Sequence, residues 1–179
     1  MVRTIAENHS EPIRLFTTGG AGTGKIHLLK RIYHEASKVF SNTNGENLEE
    51  IHTLICAPTN AGAFNTNSDT IHATFMIGEQ MYSISENQIN TLRFKLDGLM
   101  IVFINEISLI DQSLWKEFHA RLAQIMSTSG ACIHFRNISI VAVGDFYQLP
   151  PVFGLPHYVR NNIIDYWTDL FEYFELTIC

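Results

Sequence analysis

The chain has 179 residues, 46% of them hydrophobic and 17% charged. That is enough for one domain with a real core, burying roughly 70% of its unfolded surface. The formal net charge of −6 lends no support to non-specific nucleic-acid binding, which usually shows as a basic excess, although a local basic groove remains compatible with it. The three cysteines, Cys56, Cys132 and Cys179, are widely spaced and form no CxxC pair, which predicts reduced thiols in cytosol or nucleus. The opening "MVRTIAENHSEPIR" lacks the apolar core of a signal peptide. No apolar run approaches the ~18 residues of a membrane span. Cys132 and His134 are close, but without a second pair they predict no zinc site.

"IRLFTT", 13–18, is a short apolar run that meets glycines, which predicts a buried strand and a tight turn. From Gly24 to Phe40, apolar residues at 26, 28, 29, 32, 33, 36, 39 and 40 recur at helical spacing. "SNTNGENLEE", 41–50, reads as a polar loop, and "IHTLICA", 51–57, as a second strand ended by Pro58. Residues 59–70, rich in Asn, Thr and Gly, read as an exposed loop, and Glu86 to Leu96 as a short helix. "LMIVFI", 99–104, is the most hydrophobic run and predicts a central parallel strand. Asp111 suits the N-cap of a helix whose stripe is Leu114, Trp115, Phe118, Leu122, Ile125 and Met126. "ISIVAV", 138–143, is a further buried strand closed by Gly144, and "IIDYWTDLFEYFEL" predicts an aromatic amphipathic helix running toward a final short strand. Alternating strand and helix call for an α/β fold, a parallel sheet with helices on both faces. The whole chain, 1–179, reads as one domain without internal repeats or linkers.

Three stretches carry chemistry. In "GGAGTGK", Gly19-xxxx-Gly24-Lys25 follows a strand and opens a helix. Such glycines let backbone N–H groups wrap phosphate oxygens at a helix N-terminus, and the lysine bridges the outer phosphates. In "LMIVFINEIS", Asn105 and Glu106 stand at the carboxyl end of a buried strand, where ligands of parallel sheets bind. Glu106 sits where a hydrolase needs its general base. In "VAVGDFYQLPPV", Asp145 and Gln148 reach the same edge, and the Gln148 amide suits a terminal phosphate.

These motifs, with "APTNAGAFNTNSDTIHATF" at 57–75, resemble the Pif-type DNA helicases, close to the RecD group of superfamily 1, and Helitron-transposon copies in particular. The likeness runs from about Pro12 to Thr177. The resemblance implies the first RecA-like P-loop domain of an ATP-dependent 5′-to-3′ DNA helicase. Family activity is ATP hydrolysis coupled to DNA unwinding in repair, recombination and telomere maintenance or transposon replication, in the nucleus and also in mitochondria. It assigns ATP binding to Gly19, Gly20, Ala21, Gly22, Thr23, Gly24, Lys25 and Ile26, and catalysis to Lys25, Glu106 and Gln148. Asn105 and Glu106 match its Walker B acids. Pro58, Thr59, Phe64 and His72 become candidates for contacting single-stranded or forked DNA, with core packing the other reading for Phe64 and His72.

Four departures shape the expectation. Ile26 replaces the hydroxyl residue that ligates magnesium, and Asn105 the aspartate that holds it through water. If each loss equals one preorganised electrostatic group, each lowers the rate on the order of 10²-fold, and the two do not simply multiply. The upstream adenine-reading glutamine motif and the second RecA-like domain are expected to be missing. The expected function is therefore a truncated, degenerate helicase motor domain with little hydrolysis of its own and a weakened magnesium site. The alternatives are a non-catalytic nucleotide- or DNA-binding protein and a transposon remnant. The tail aromatics Tyr166, Trp167, Leu170, Phe171 and Phe174 are expected to pack on the sheet or, failing that, to face another domain.

Overall fold

Runs of aliphatic residues become strands here because both faces of a parallel sheet are covered. The computed structural model describes residues 12–43, 50–78, 84–126, 134–152, 154–157 and 166–177. Within them β1 (Arg14–Gly19), β2 (Thr53–Ala57), β3 (Asp69–Thr70), β4 (Ile101–Asn105), β5 (Ser139–Val143) and β6 (Glu172–Leu176) form one sheet in the order β3-β2-β4-β5-β1-β6. All its pairings are parallel.

Register sorts the strand side chains onto two faces. Ile55, Phe103 and Val141 lie in one row across β2, β4 and β5. They pack with Leu29, Ala36 and Phe40 of α1 (Lys25–Thr43), and the Tyr33 ring meets Phe103 edge-on at 5.6 Å. The next row, Cys56, Ile104 and Ala142, faces the other way. It meets α4 (Glu86–Leu96) and α5 (Gln112–Ile125), whose stripe of Leu114, Trp115, Phe118, Leu122 and Ile125 is buried. The helices thus cover both faces, as the sequence predicts. Asp111 caps α5 by accepting the Leu114 N–H at 2.7 Å. Burial pushes the Cys56 thiol well above its ordinary range, so it is an inert core residue.

Three expectations need correction. Residues 59–70 are not a loop: they form α2 (Asn60–Thr66) and β3, and α3 (Ile71–Phe75) follows directly. Thr59 and Thr70 cap the two helices by accepting the N–H groups of Gly62 and Ala73, and Asn67 in the left-handed region (φ 54°) ends the first. Polar composition hides these helices because Gly62, Ala63 and Thr66 are small enough to bury against the sheet. Second, α1 continues to Thr43 before the stretch 44–49, whose predicted loop lies outside the described residues. The Ser41 hydroxyl stays on the helix by donating to the Ser37 carbonyl at 2.8 Å. Third, among the described residues the tail helix is α6 (Tyr166–Asp169), with residues 163–165 of the predicted helix outside them, and the expected final strand is Glu172–Leu176 at the sheet edge, longer than the helical reading leaves room for. Trp167 and Phe171 pack at 4.6 Å against one another and, with Leu170, join the core under β1. Phe174 and Tyr173 stay exposed on β6, so the expected packing holds for Trp167, Leu170 and Phe171 and not for Phe174. Cys132, Cys179 and the opening residues 1–11 lie outside the described residues, as do the side chains of His134 and Tyr166.

Candidate functional site

A parallel sheet gathers all its carboxyl ends at one edge, and the strand order sets β2, β4, β5 and β1 side by side there. After β1 the chain turns through Gly22 and Gly24 at φ of 79° and 85°, values that side-chain-bearing residues resist. Gly20, Ala21, Gly22 and Gly24 are exposed, and α1 opens at once behind them. Lys25 Nζ folds back over the turn, donating to the Gly19 carbonyl at 2.5 Å and the Gly20 carbonyl at 2.8 Å. The Thr23 hydroxyl donates to the same Gly20 carbonyl at 2.9 Å. A cationic side chain, exposed glycines and a helix N-terminus thus stand together on one loop, the parts from which anion-binding loops are built.

At the end of β4, Asn105 is buried and its amide donates to the Gly62 carbonyl at 3.3 Å. Glu106 follows in the left-handed region, φ 57° and ψ 43°. That conformation costs a non-glycine residue roughly 1–2 kcal/mol, and the observed strain marks a constrained position. Its Oε2 accepts the Thr59 hydroxyl at 3.0 Å, and the Thr59 oxygen in turn accepts the Gly62 N–H at 3.0 Å. Gly62 lets Glu106 approach the helix closely: a Cβ added to it would stand 2.4 Å from Glu106 Oε2, so the carboxylate would have to move.

Behind β5 the Asp145 carboxylate accepts the Tyr147 N–H at 3.0 Å, and its carbonyl accepts the Gln148 N–H at 3.0 Å. Asp145 is therefore the former of this turn, and Gln148 is its exposed product. Glu106 and Gln148 meet across a pocket of about 500 Å³, walled also by Ser108, Tyr147 and Pro150. The loop's return is fixed by His157, whose Nδ1 lies 2.6 Å from the Ile110 carbonyl and whose ring sits among Trp115, Phe146 and Trp167. Burial lowers the His157 pKa from 6.5 to about 4, against the pull of the Ile110 carbonyl and Asp111. No periodicity in the sequence points to His157, because it lies in irregular chain.

Of the DNA candidates, Phe64 is 82% exposed on α2, which excludes core packing for it. His72 on α3 and Pro58 are half-buried, and Thr59 turns its hydroxyl inward to Glu106. Sequence reasoning missed the linkage of Thr59 and Gly62 to the β4 end; a threonine placed three residues before Gly62 is the N-cap signal that points to it.

A magnesium ion takes hard oxygen ligands. Ile26 offers carbon only, and Asn105, whose Nδ2 donates to the Gly62 carbonyl, offers a neutral amide oxygen in place of a carboxylate, so the pair fits the ion less well than a hydroxyl and a charged acid would. Among the described residues no group of three or more His, Cys, Asp or Glu side chains could hold a metal.

A parallel α/β sheet with helices on both faces and a glycine-lysine loop between its first strand and helix defines the RecA-like P-loop class. The sequence profile of the PIF1-like helicases matches residues 1–177, and the chain belongs to that family. It is 29% identical over 145 residues to the ATP-dependent DNA helicase PIF1 of Emericella nidulans, covering 77% of this chain and 18% of that one. It is also 29% identical over 142 residues to the human ATP-dependent DNA helicase PIF1, covering 77% and 20%. Among solved structures, Bacteroides Pif1 bound to single-stranded DNA superposes with a TM-score of 0.69 at 23% identity, over 99% of this chain and 40% of that one. Candida albicans Pif1 helicase gives 0.66 at 25% identity, over 92% and 36%. The chain thus spans at most a fifth of these two curated relatives.

Proposed function

We propose that this chain is the nucleotide-binding motor domain of an ATP-dependent DNA helicase whose own hydrolysis is slow. The observation that carries this reading is that one sheet edge holds the glycine-lysine loop behind β1 and, lining one pocket behind the adjacent β4 and β5, Glu106 and Gln148. In this reading the glycine-loop N–H groups and Lys25 take the phosphates of ATP. Glu106 orients the attacking water, and the Gln148 amide donates to the terminal phosphate. Phe64, exposed on α2, offers a face on which a base of single-stranded DNA stacks. The relatives named as ATP-dependent DNA helicases support the same assignment.

A second reading, a nucleotide and DNA binder without turnover, is favoured by one observation: Ile26 supplies no oxygen to a metal and Asn105 no negative charge. Titration calorimetry with ATP, with and without magnesium, tests both. The expected result is ATP binding that magnesium barely changes and that Lys25→Ala weakens, with little phosphate release in the presence of oligothymidine. Vigorous magnesium-dependent turnover stimulated by oligothymidine would overturn the slow-hydrolysis reading, and absence of any ATP binding would overturn both.

A further inference from the structure

We propose that Asn105 is a positioning residue, holding α2 and its exposed Phe64 in place through a hydrogen bond that an ionised acid at the same position cannot make. The Asn105 side chain is 2% exposed at the end of β4, and its Nδ2 donates to the Gly62 carbonyl at 3.3 Å. An amide nitrogen is a donor, whereas a carboxylate only accepts. From the next residue, Glu106 reaches Thr59, whose oxygen accepts the Gly62 N–H. Gly62 is therefore tied to the sheet edge at its carbonyl by residue 105, beside the Thr66 hydroxyl of its own helix at 3.0 Å, and at its N–H, through Thr59, by residue 106. The helix it belongs to has seven residues, too short to be stable by itself. Its placement depends on these ties and on the burial of Ala63 and Thr66. Phe64 stands two residues beyond the tied glycine and is the helix's large exposed apolar group.

An aspartate at 105 would set a charged oxygen against the Gly62 carbonyl oxygen and loosen α2 at the one tie that joins this carbonyl to β4. The asparagine thus does something other than fail to hold a metal. It fastens the helix facing DNA to the nucleotide edge by a bond within the protein, so the placement of Phe64 needs no ion. This deepens the function proposed above and rests on it for the identity of the ligand.

The test compares the wild-type chain with Asn105→Asp, Asn105→Leu, Phe64→Ala and the Asn105→Leu/Phe64→Ala double variant. Fluorescein-labelled oligothymidine is titrated in EDTA without nucleotide, and amide hydrogen exchange is followed by mass spectrometry. Loss of one buried hydrogen bond is expected to weaken oligothymidine binding about tenfold in each Asn105 variant. Exchange is expected to quicken in peptides covering 58–68 and to stay unchanged in those covering β4 and β5. The double variant should bind no worse than Phe64→Ala alone, because both changes act through the same ring. Asn105→Leu removes the donor without adding charge, so it carries the test if Asn105→Asp does not fold. Unchanged exchange at 58–68, uniform acceleration across the sheet, or multiplying losses in the double variant would each overturn the proposal. If the wild-type chain binds no oligothymidine, the DNA part of the proposed function falls, and the exchange result alone decides whether the Asn105 tie exists.

Discussion

The Thr59 hydroxyl donates to Glu106 at 3.0 Å while its oxygen accepts the Gly62 N–H at the same distance, so one side chain both caps α2 and orients the residue expected to act as base. Thr59→Val keeps the shape and removes both bonds. It is expected to lower stability by about 1–2 kcal/mol, as the loss of an N-cap does, and Thr59→Ser is expected to recover most of it. Urea unfolding of the three proteins at equal pH measures this directly.

Gly62→Ala probes the same corner by volume. The new Cβ would lie 2.4 Å from Glu106 Oε2 and 3.1 Å from the Ala57 Cβ. The carboxylate is at the far end of a side chain and can swing away, but the strand residue cannot. The expected result is a loss of about 1–3 kcal/mol, in the range of overpacked sites, with Glu106 turned out of its bond to Thr59. A crystal structure of the variant showing Glu106 unmoved would contradict it.

The sheet is legible in the sequence because its strands are continuous apolar runs such as 99–104 and 138–143, a pattern that fits strands covered on both faces. The edge that carries the site is legible for the same reason: polar residues directly after such runs must stand at the strand ends. The region 59–75 is not, because helix caps and a buried glycine override a composition rich in Asn and Thr. In the tail the final strand is legible but its start is not, because Phe171, which is buried, and Tyr173 and Phe174, which are exposed on an edge strand, share an aromatic pattern that suits a helix equally well. The Asn105 tie is illegible for a different reason: its acceptor is a backbone carbonyl 43 residues away in sequence.

Lys25→Ala should separate binding from folding. Among the described residues Lys25 Nζ bonds to the carbonyls of Gly19 and Gly20 on its own loop, so its removal should shift unfolding by about 0.5 kcal/mol or less. Loss of charge-assisted contacts to phosphate should weaken ATP binding about tenfold to a hundredfold. Calorimetry beside urea unfolding checks the pair. Equal affinity for ATP in the variant would show that the loop does not hold the phosphates.

His157 makes the Gln148 loop sensitive to acid. Its folded pKa is lowered to about 4 from 6.5, first by burial. The unfolded chain therefore binds the proton more readily, and stability falls as pH drops from about 6.5 toward 4. The loss is about 2 kcal/mol by pH 5 and about 3 kcal/mol in full. His157→Gln should start less stable at pH 7, having lost its place among Trp115, Phe146 and Trp167, but should lack this part of the decline. Urea unfolding at pH 7 and pH 5 gives the comparison. Parallel losses in the two proteins would assign the acid response to other groups.

Restoring the metal-facing residues tests the cost of the Asn105 bond against the gain of an ion. In the Ile26→Ser/Asn105→Asp double variant, a hydroxyl and a carboxylate stand at the two positions that now offer carbon and an engaged amide. Magnesium is expected to tighten ATP binding by tenfold or more in the double variant, and by far less in the wild-type chain or in either single variant, because two ligands serve one ion. Without magnesium the double variant should bind oligothymidine less well than wild type, since the new carboxylate cannot donate to the Gly62 carbonyl. Opposite responses of the two ligands to the same pair of substitutions distinguish this account from general damage to the fold, which would weaken both. A double variant whose ATP affinity ignores magnesium would mean that other residues of this edge, and not positions 26 and 105, decide whether the ion is held.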